Sequence, residues 1–241
     1  VPAQAAGYAE NPVDHLHLWL PLFIFGTCSI SRCRRPSVHL MERTTFDMQE
    51  LAGVDRYKLL TGLIIPRPIG WVGTVAADGT RNLAPYSYFN AVAATPPTVI
   101  FSTGRPHGRI KDSLANVTAT GEFTLSIVDE SLTRAMHSTS TAYPPEIDEF
   151  VEVKLTAAWG DVVEAPFVAE AKAALECRVS QIVDLGAPAS ASVVFGDVLR
   201  IHVADEVLDG TRIDHRALRA VGRIAGTTYV TTADSLFDVE E

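Results

Sequence analysis

The chain has 241 residues, 47% hydrophobic and 20% charged, which suits one globular domain with additions and excludes a disordered polymer. A formal net charge of −9 and a pI near 5.2 exclude a broad cationic face, and with it general binding to nucleic acid or to an anionic membrane. Three cysteines, Cys28, Cys33 and Cys177, give neither a disulfide framework nor a paired zinc motif, and fit a reducing, cytoplasmic location.

Residues 1–40 do not match the rest. Leu16 to Ile30 is apolar but short for a membrane-spanning helix, and Pro21 interrupts it. Arg32, Arg34 and Arg35 follow the apolar run, whereas a signal peptide carries its charges first. Met41 then opens a stretch that reads like an ordinary protein start. Residues 1–40 are read as an N-terminal extension, with a membrane anchor or a strap on a partner subunit as alternatives, and 41–241 as the domain.

Beyond Glu42, Ile69 to Ala76 and Leu83 to Asn90 are expected strands, with Asp78-Gly79 supplying the hairpin turn. Pro96 to Gly104 is a third, β-branched strand. Lys111 to Phe123 reads as a helix capped by Asp112 or Ser113 and stopped by Gly121. Glu122 to Glu130 is a strand, Ser131 to Ser140 a short helix, and Thr141 to Phe150 a loop with two prolines. Ala173 to Leu185 and Ala191 to Gly210 are further strands. Arg212 to Val230 closes the chain with a short helix, a glycine-containing loop and a last strand. Many short strands with few short helices predict a mainly β fold with helical decorations, closed or nearly closed into a barrel.

The sequence holds no Gly-x-Gly-x-x-Gly after a strand, no Walker motif, no Gly-x-Ser-x-Gly elbow and no His-x-x-x-His spacing. Two stretches remain. In "APYSYFN", Ser87, Asn90 and exposed main chain can hydrogen-bond a planar, heteroatom-rich ring, with Tyr86, Tyr88 and Phe89 as walls. In "KDSLAN", Lys111 to Asn116, a helix start with free N–H groups, a lysine and a serine forms a phosphate seat. Asp112 would repel phosphate if its carboxylate faced it, so it is read as a cap or as a contact to another polar group. Together they suggest a ring at one end and a phosphate at the other.

Arg67-Pro68-Ile69, the stretch Asn82 to Asn90, the Pro96-Pro97 pair and the helix start Lys111-Asp112-Ser113-x-x-Asn116, in this order, resemble the flavin reductase-like family with the FMN-binding split β-barrel fold, in its flavoredoxin-like branch. The resemblance covers about Tyr57 to Thr231, and "YPPEIDEF" and "VGRIAGTTYV" match one branch. It implies a homodimer with one FMN per subunit near the interface. It also implies reduction by NADH or NADPH, or electron transfer through FMN, with a monooxygenase or other electron acceptor as partner. By the same resemblance Ser87, Tyr88, Phe89 and Asn90 line the isoalloxazine, Ala93 lies near the ribityl side, and Lys111, Asp112 and Ser113 lie at the phosphate. Arg67 is a further phosphate candidate, or else a surface arginine before a strand. Tyr143 and Tyr229 either border the flavin face or the second subunit, or pack in the core or rim. One departure stands out: Val198 follows Gly196-Asp197 where many family members place a histidine tied to nicotinamide use. No catalytic side chain and no metal is expected, because hydride chemistry belongs to the flavin.

Overall fold

The computed structural model describes residues 41–239, so the expected extension 1–40 lies outside the described residues. The elements in order are α1 (Gly53–Leu63), β1 (Arg67–Pro68), β2 (Gly70–Val75), β3 (Arg81–Tyr86), β4 (Phe89–Ala94), β5 (Pro97–Gly104) and α2 (Asp112–Thr120). Then come β6 (Glu122–Ile127), α3 (Thr133–Ser138), α4 (Glu149–Glu152), β7 (Ala157–Trp159), β8 (Pro166–Val168), β9 (Ala173–Leu185) and β10 (Ala191–Val203). The chain finishes with β11 (Leu208–Asp209), β12 (Arg212–Ile213), α5 (His215–Leu218), β13 (Val221–Arg223) and β14 (Tyr229–Thr231).

Seven antiparallel strands form the main sheet in the order β3-β2-β6-β9-β10-β5-β4. Its two edge strands, β3 and β4, are consecutive in the chain and separated only by Ser87 and Tyr88. Laid flat, six strand spacings of ~4.8 Å would put these edges roughly 29 Å apart, while a two-residue link reaches only about 10 Å. The sheet must therefore curl until its edges meet, which produces the expected barrel. The single strand expected over Leu83 to Asn90 is thus two strands on opposite edges, because its alternation continues through the turn.

The barrel interior holds Val72, Tyr86, Val99, Phe101, Phe123, Leu125, Cys177 and Val194, with Leu114 and Val117 of α2. A second cluster on the outer face joins Trp71, Leu83, Val128, Leu132, Met136, Phe150 and Val168. Trp71 and Val72 are neighbours in β2 and belong to different clusters, so this strand is buried on both faces. Trp71 Nε1 also donates to Thr139 Oγ1 at 2.9 Å, fixing the end of α3 on β2. Gly73 lets the β7–β8 hairpin lie against β2: a Cβ there would come within 2.0 Å of the Pro166 carbonyl oxygen.

Several elements were not expected, among them α1, the β7–β8 hairpin and α4, which takes up the end of the expected Thr141 to Phe150 loop. Helix α1 carries Val54, Tyr57, Leu60 and Leu63, all exposed and spread over about half of its circumference, and buries only Thr61. The β7–β8 hairpin is too short for a periodic signal. Among the described residues no helix is long and apolar enough to cross a membrane.

Candidate functional site

Helix α2 begins at Asp112, with Lys111 as its N-cap. This corrects the expected cap at Asp112 or Ser113. A lysine cannot accept, and no side chain caps the helix; the Leu114 and Ala115 N–H groups bond the Lys111 carbonyl, which leaves those of Asp112 and Ser113 free for an anion. Gly121 closes the helix at φ 73°, as expected. The first turn is bolted to the barrel. Asn82 Nδ2 donates to Ser113 Oγ at 2.9 Å and to Thr74 Oγ1 at 3.1 Å, and Asn116 Nδ2 donates to the same Thr74 oxygen at 3.0 Å.

Beside this helix start runs a groove of about 360 Å³, within the range of small-molecule sites. Its wall comes from β3 (Asn82, Ala84, Pro85, Tyr86), the approach to α2 (Arg109, Lys111, Asp112, Ser113), the 139–143 segment, Glu149 of α4 and Arg223 of β13. Lys111 Nζ sits 5.6 Å from the centroid of the Tyr86 ring. Arg109, Lys111 and Arg223 form no salt bridge among the described residues, so the groove is a local cationic site on an acidic chain. Tyr86 Oη is the one buried side-chain polar atom without a hydrogen-bond partner among the described residues. Burial holds this phenol above the ordinary tyrosine value, so it remains a neutral donor.

Glu149 is 6% exposed and accepts the Leu83 N–H at 2.9 Å. Burial raises its pKa to about 7, the Leu83 and Glu149 main-chain N–H groups oppose the shift, and Asp112 and Asp148 add to it. Asp148 caps α4 by accepting from the N–H groups of Phe150 and Val151, and Arg81 pairs with it.

The expected site residues divide. Lys111, Asp112 and Ser113 line the groove. Ser87, Tyr88, Phe89, Asn90 and Ala93 do not: they occupy the β3–β4 turn and the exposed edge strand β4. Phe89 packs on Gly70, and Asn90 Oδ1 accepts the N–H of Ala91. Arg67 is neither a surface residue nor in the groove. It is 4% exposed, its guanidinium donates to the carbonyls of Thr61 and Ile64 at the end of α1, and Nε reaches Ser87 Oγ at 3.5 Å. Arg109, Glu149 and Arg223 were missed. Arg109 was legible as a second cation two residues before Lys111, whereas Glu149 and Arg223 reach the groove only through tertiary structure.

A larger hollow of about 810 Å³ is lined by Glu122, Asp161 and Glu164 and by no basic side chain, which makes it unsuited to an anion. Near it Asp161, Glu176 and His202 converge. Fully buried Glu176 accepts from the N–H groups of Asp161, Val162 and Val163, and lies 2.7 Å from His202 Nε2. Burial pushes this carboxyl up, but those donors outweigh it and hold it below its ordinary value. The cluster is a clamp on the β7–β8 turn. His202 stacks on Phe167 there, outside the groove lining.

The decisive comparison is with protein families: residues 62–222 match the flavin reductase like domain. The chain belongs to the flavin reductase-like family. An uncharacterized protein of Deinococcus radiodurans is 41% identical over 204 residues, covering 81% of this chain and 88% of that protein. Among solved structures, nitrilotriacetate monooxygenase component B from Bacillus cereus is 36% identical with a TM-score of 0.80, covering 83% of this chain and all of that one. A protein from Shewanella frigidimarina described as having a split barrel domain shares the fold at 23% identity and a TM-score of 0.71, covering 83% of this chain and all of that one. The curled seven-stranded sheet is thus the split barrel of the flavin reductase-like family, and the cationic groove lies on its β3 edge.

Proposed function

We propose that the protein binds FMN in this groove and works as an NAD(P)H-dependent oxidoreductase of flavin reductase type. The observation that carries this reading is the uncapped start of α2. It presents free N–H groups and Lys111 to a groove that also holds Arg109 and Arg223. The chemistry of this donor set suits a phosphate, and the family match points to a flavin. Lys111, the α2 N–H groups and Ser113 would hold the phosphate, and the Tyr86 phenol adds a neutral donor in the groove wall. When bound, FMN supplies hydride chemistry; the chain binds and orients it. Ser87 to Asn90 and Ala93 are kept as ring-side candidates on the neighbouring turn and edge strand.

The reading extends to a cytoplasmic homodimer that passes electrons to a monooxygenase or another acceptor. The exposed apolar side chains of α1 support the dimer, and the likeness to a monooxygenase component supports the acceptor. Purified protein mixed with FMN and with NADH or NADPH is expected to consume the nicotinamide absorbance with at least one donor. No oxidation with either donor would overturn the reductase reading.

A specific observation favours a second reading, an FMN electron carrier without efficient nicotinamide turnover. Val198 stands where a histidine was looked for, and His202, four residues on, is engaged with Glu176. Slow reduction by nicotinamide with fast reduction by a protein donor would select this reading.

A further inference from the structure

Glu149 is the one acid of the groove wall that is both buried and without a cation. Among the described residues it takes part in no salt bridge. Its hydrogen-bond partner from another residue is the Leu83 N–H, which an uncharged acid or amide oxygen can also satisfy. The charged and titratable groups around it are Arg81 and Tyr86 of β3, Asp148 of its own cap, and Asp112 of α2. Across the groove stand Arg109, Lys111, Tyr143 and Arg223. Arg81 is already paired with Asp148 and so does not neutralise Glu149. With Glu149 neutral, the three groove cations face one acid, Asp112; with Glu149 ionised they face two.

We infer that Glu149 is a specificity-determining residue of the groove: while it holds its proton the α2 start takes a doubly charged phosphate, and once ionised it turns that end group away. This deepens the FMN reading and rests on it. The physical reason is one added negative charge in a partly water-excluded groove, where charge interactions exceed their value in bulk water. A pKa raised to about 7 places the change in the neutral range. By linkage, the phosphate must raise the proton affinity of Glu149 as much as the proton raises the affinity for phosphate. An unphosphorylated ligand makes no such demand, so Glu149 separates FMN from riboflavin.

The test is flavin titration by fluorescence between about pH 6 and 8, with FMN and with riboflavin, on the full chain and on Glu149→Gln. The phosphate's own proton titrates near pH 6 and affects both proteins alike. FMN binding to the wild-type chain should therefore weaken about tenfold more than binding to Glu149→Gln over this range. Riboflavin should show no such difference. Calorimetry near pH 7 in two buffers of different ionisation enthalpy should show proton uptake on FMN binding that the variant lacks. Superimposable FMN profiles in two proteins that both bind FMN would overturn the inference, as would an equal pH effect on riboflavin. Failure of the wild-type chain to bind FMN at pH 6 would instead overturn the FMN reading itself, and failure of a folded Glu149→Gln alone would overturn the inference. If Glu149→Gln does not fold, Asp112→Asn carries the test. Removing that neighbouring charge should move the wild-type pH midpoint toward acid, and an unmoved midpoint overturns the inference.

Discussion

Arg67 and Lys111 show how differently two basic side chains from neighbouring motifs are used. Arg67 closes the carbonyl end of α1, and Lys111 stands at the open N–H end of α2. Lys111→Ala is expected to weaken FMN binding at least about tenfold, the loss of one charge-assisted contact, with little change in stability. Arg67→Ala is expected to lower stability by about 2 kcal/mol, since buried carbonyls lose their donor. FMN titration and thermal melts of both variants check this; equal loss of FMN affinity in the two would contradict it. The sequence shows an arginine before a strand, but not the carbonyls of Thr61 and Ile64 that it meets. Glu149 adds a pH prediction. Its folded pKa lies above the ordinary value of 4.5, so its contribution is whole below that value and is lost as pH rises through about 7. Glu149→Gln should match the wild type near pH 4.5. By about pH 8 it should be more stable by about 2 kcal/mol, less than the full shift because water at the groove wall screens the charge. Urea unfolding at both pH values measures it, and a difference that does not grow with pH contradicts it.

At the scale of elements, the β7–β8 turn is held chiefly by one buried carboxylate, with Glu122 accepting the Glu164 N–H beside it. Glu176 serves three consecutive N–H groups and His202, so Glu176→Ala leaves several buried polar groups unmatched. The expected cost is about 3 kcal/mol, with faster amide exchange confined first to Asp161, Val162 and Val163. Unchanged exchange at those amides would show that the clamp is not what holds the turn. Such a clamp is invisible in sequence, because the main-chain partners of Glu176 are thirteen to fifteen residues away and His202 is 26 away. Regular elements were easier. The β2–β3 hairpin, β5, α2, β9 and β10 follow from alternation, turn glycines and the Gly121 stop. The break at Ser87–Tyr88 was not legible, since both strands alternate apolar and polar residues and only the curled sheet separates them. For the same reason Ser87 to Asn90 and Ala93 fall on the turn and edge strand beside the groove rather than in its lining. Lys111 to Ser113 announce themselves by chemistry, whereas the β3 face that meets them is Asn82 to Tyr86, just before the stretch that looked aromatic enough to hold a ring.

The described residues form a split barrel on an acidic chain, with a cationic groove and exposed apolar side chains on α1. The exposed apolar side chains of α1 predict self-association. Light scattering should give about twice the 26.0 kDa chain mass, and replacing Leu60 and Leu63 together by lysine should shift the protein toward monomer. A wild-type monomer at micromolar concentration would remove the dimer from the account. The barrel class was legible at this scale because many short strands with few helices leave few other solutions. The most direct test of the central claim is fluorescence titration of FMN into the purified chain beside Lys111→Ala, at a pH below 7 where Glu149 holds its proton. The account predicts saturable binding of one FMN per chain that the substitution weakens at least about tenfold. No binding by the wild-type chain, or equal affinity in the two proteins, would contradict it.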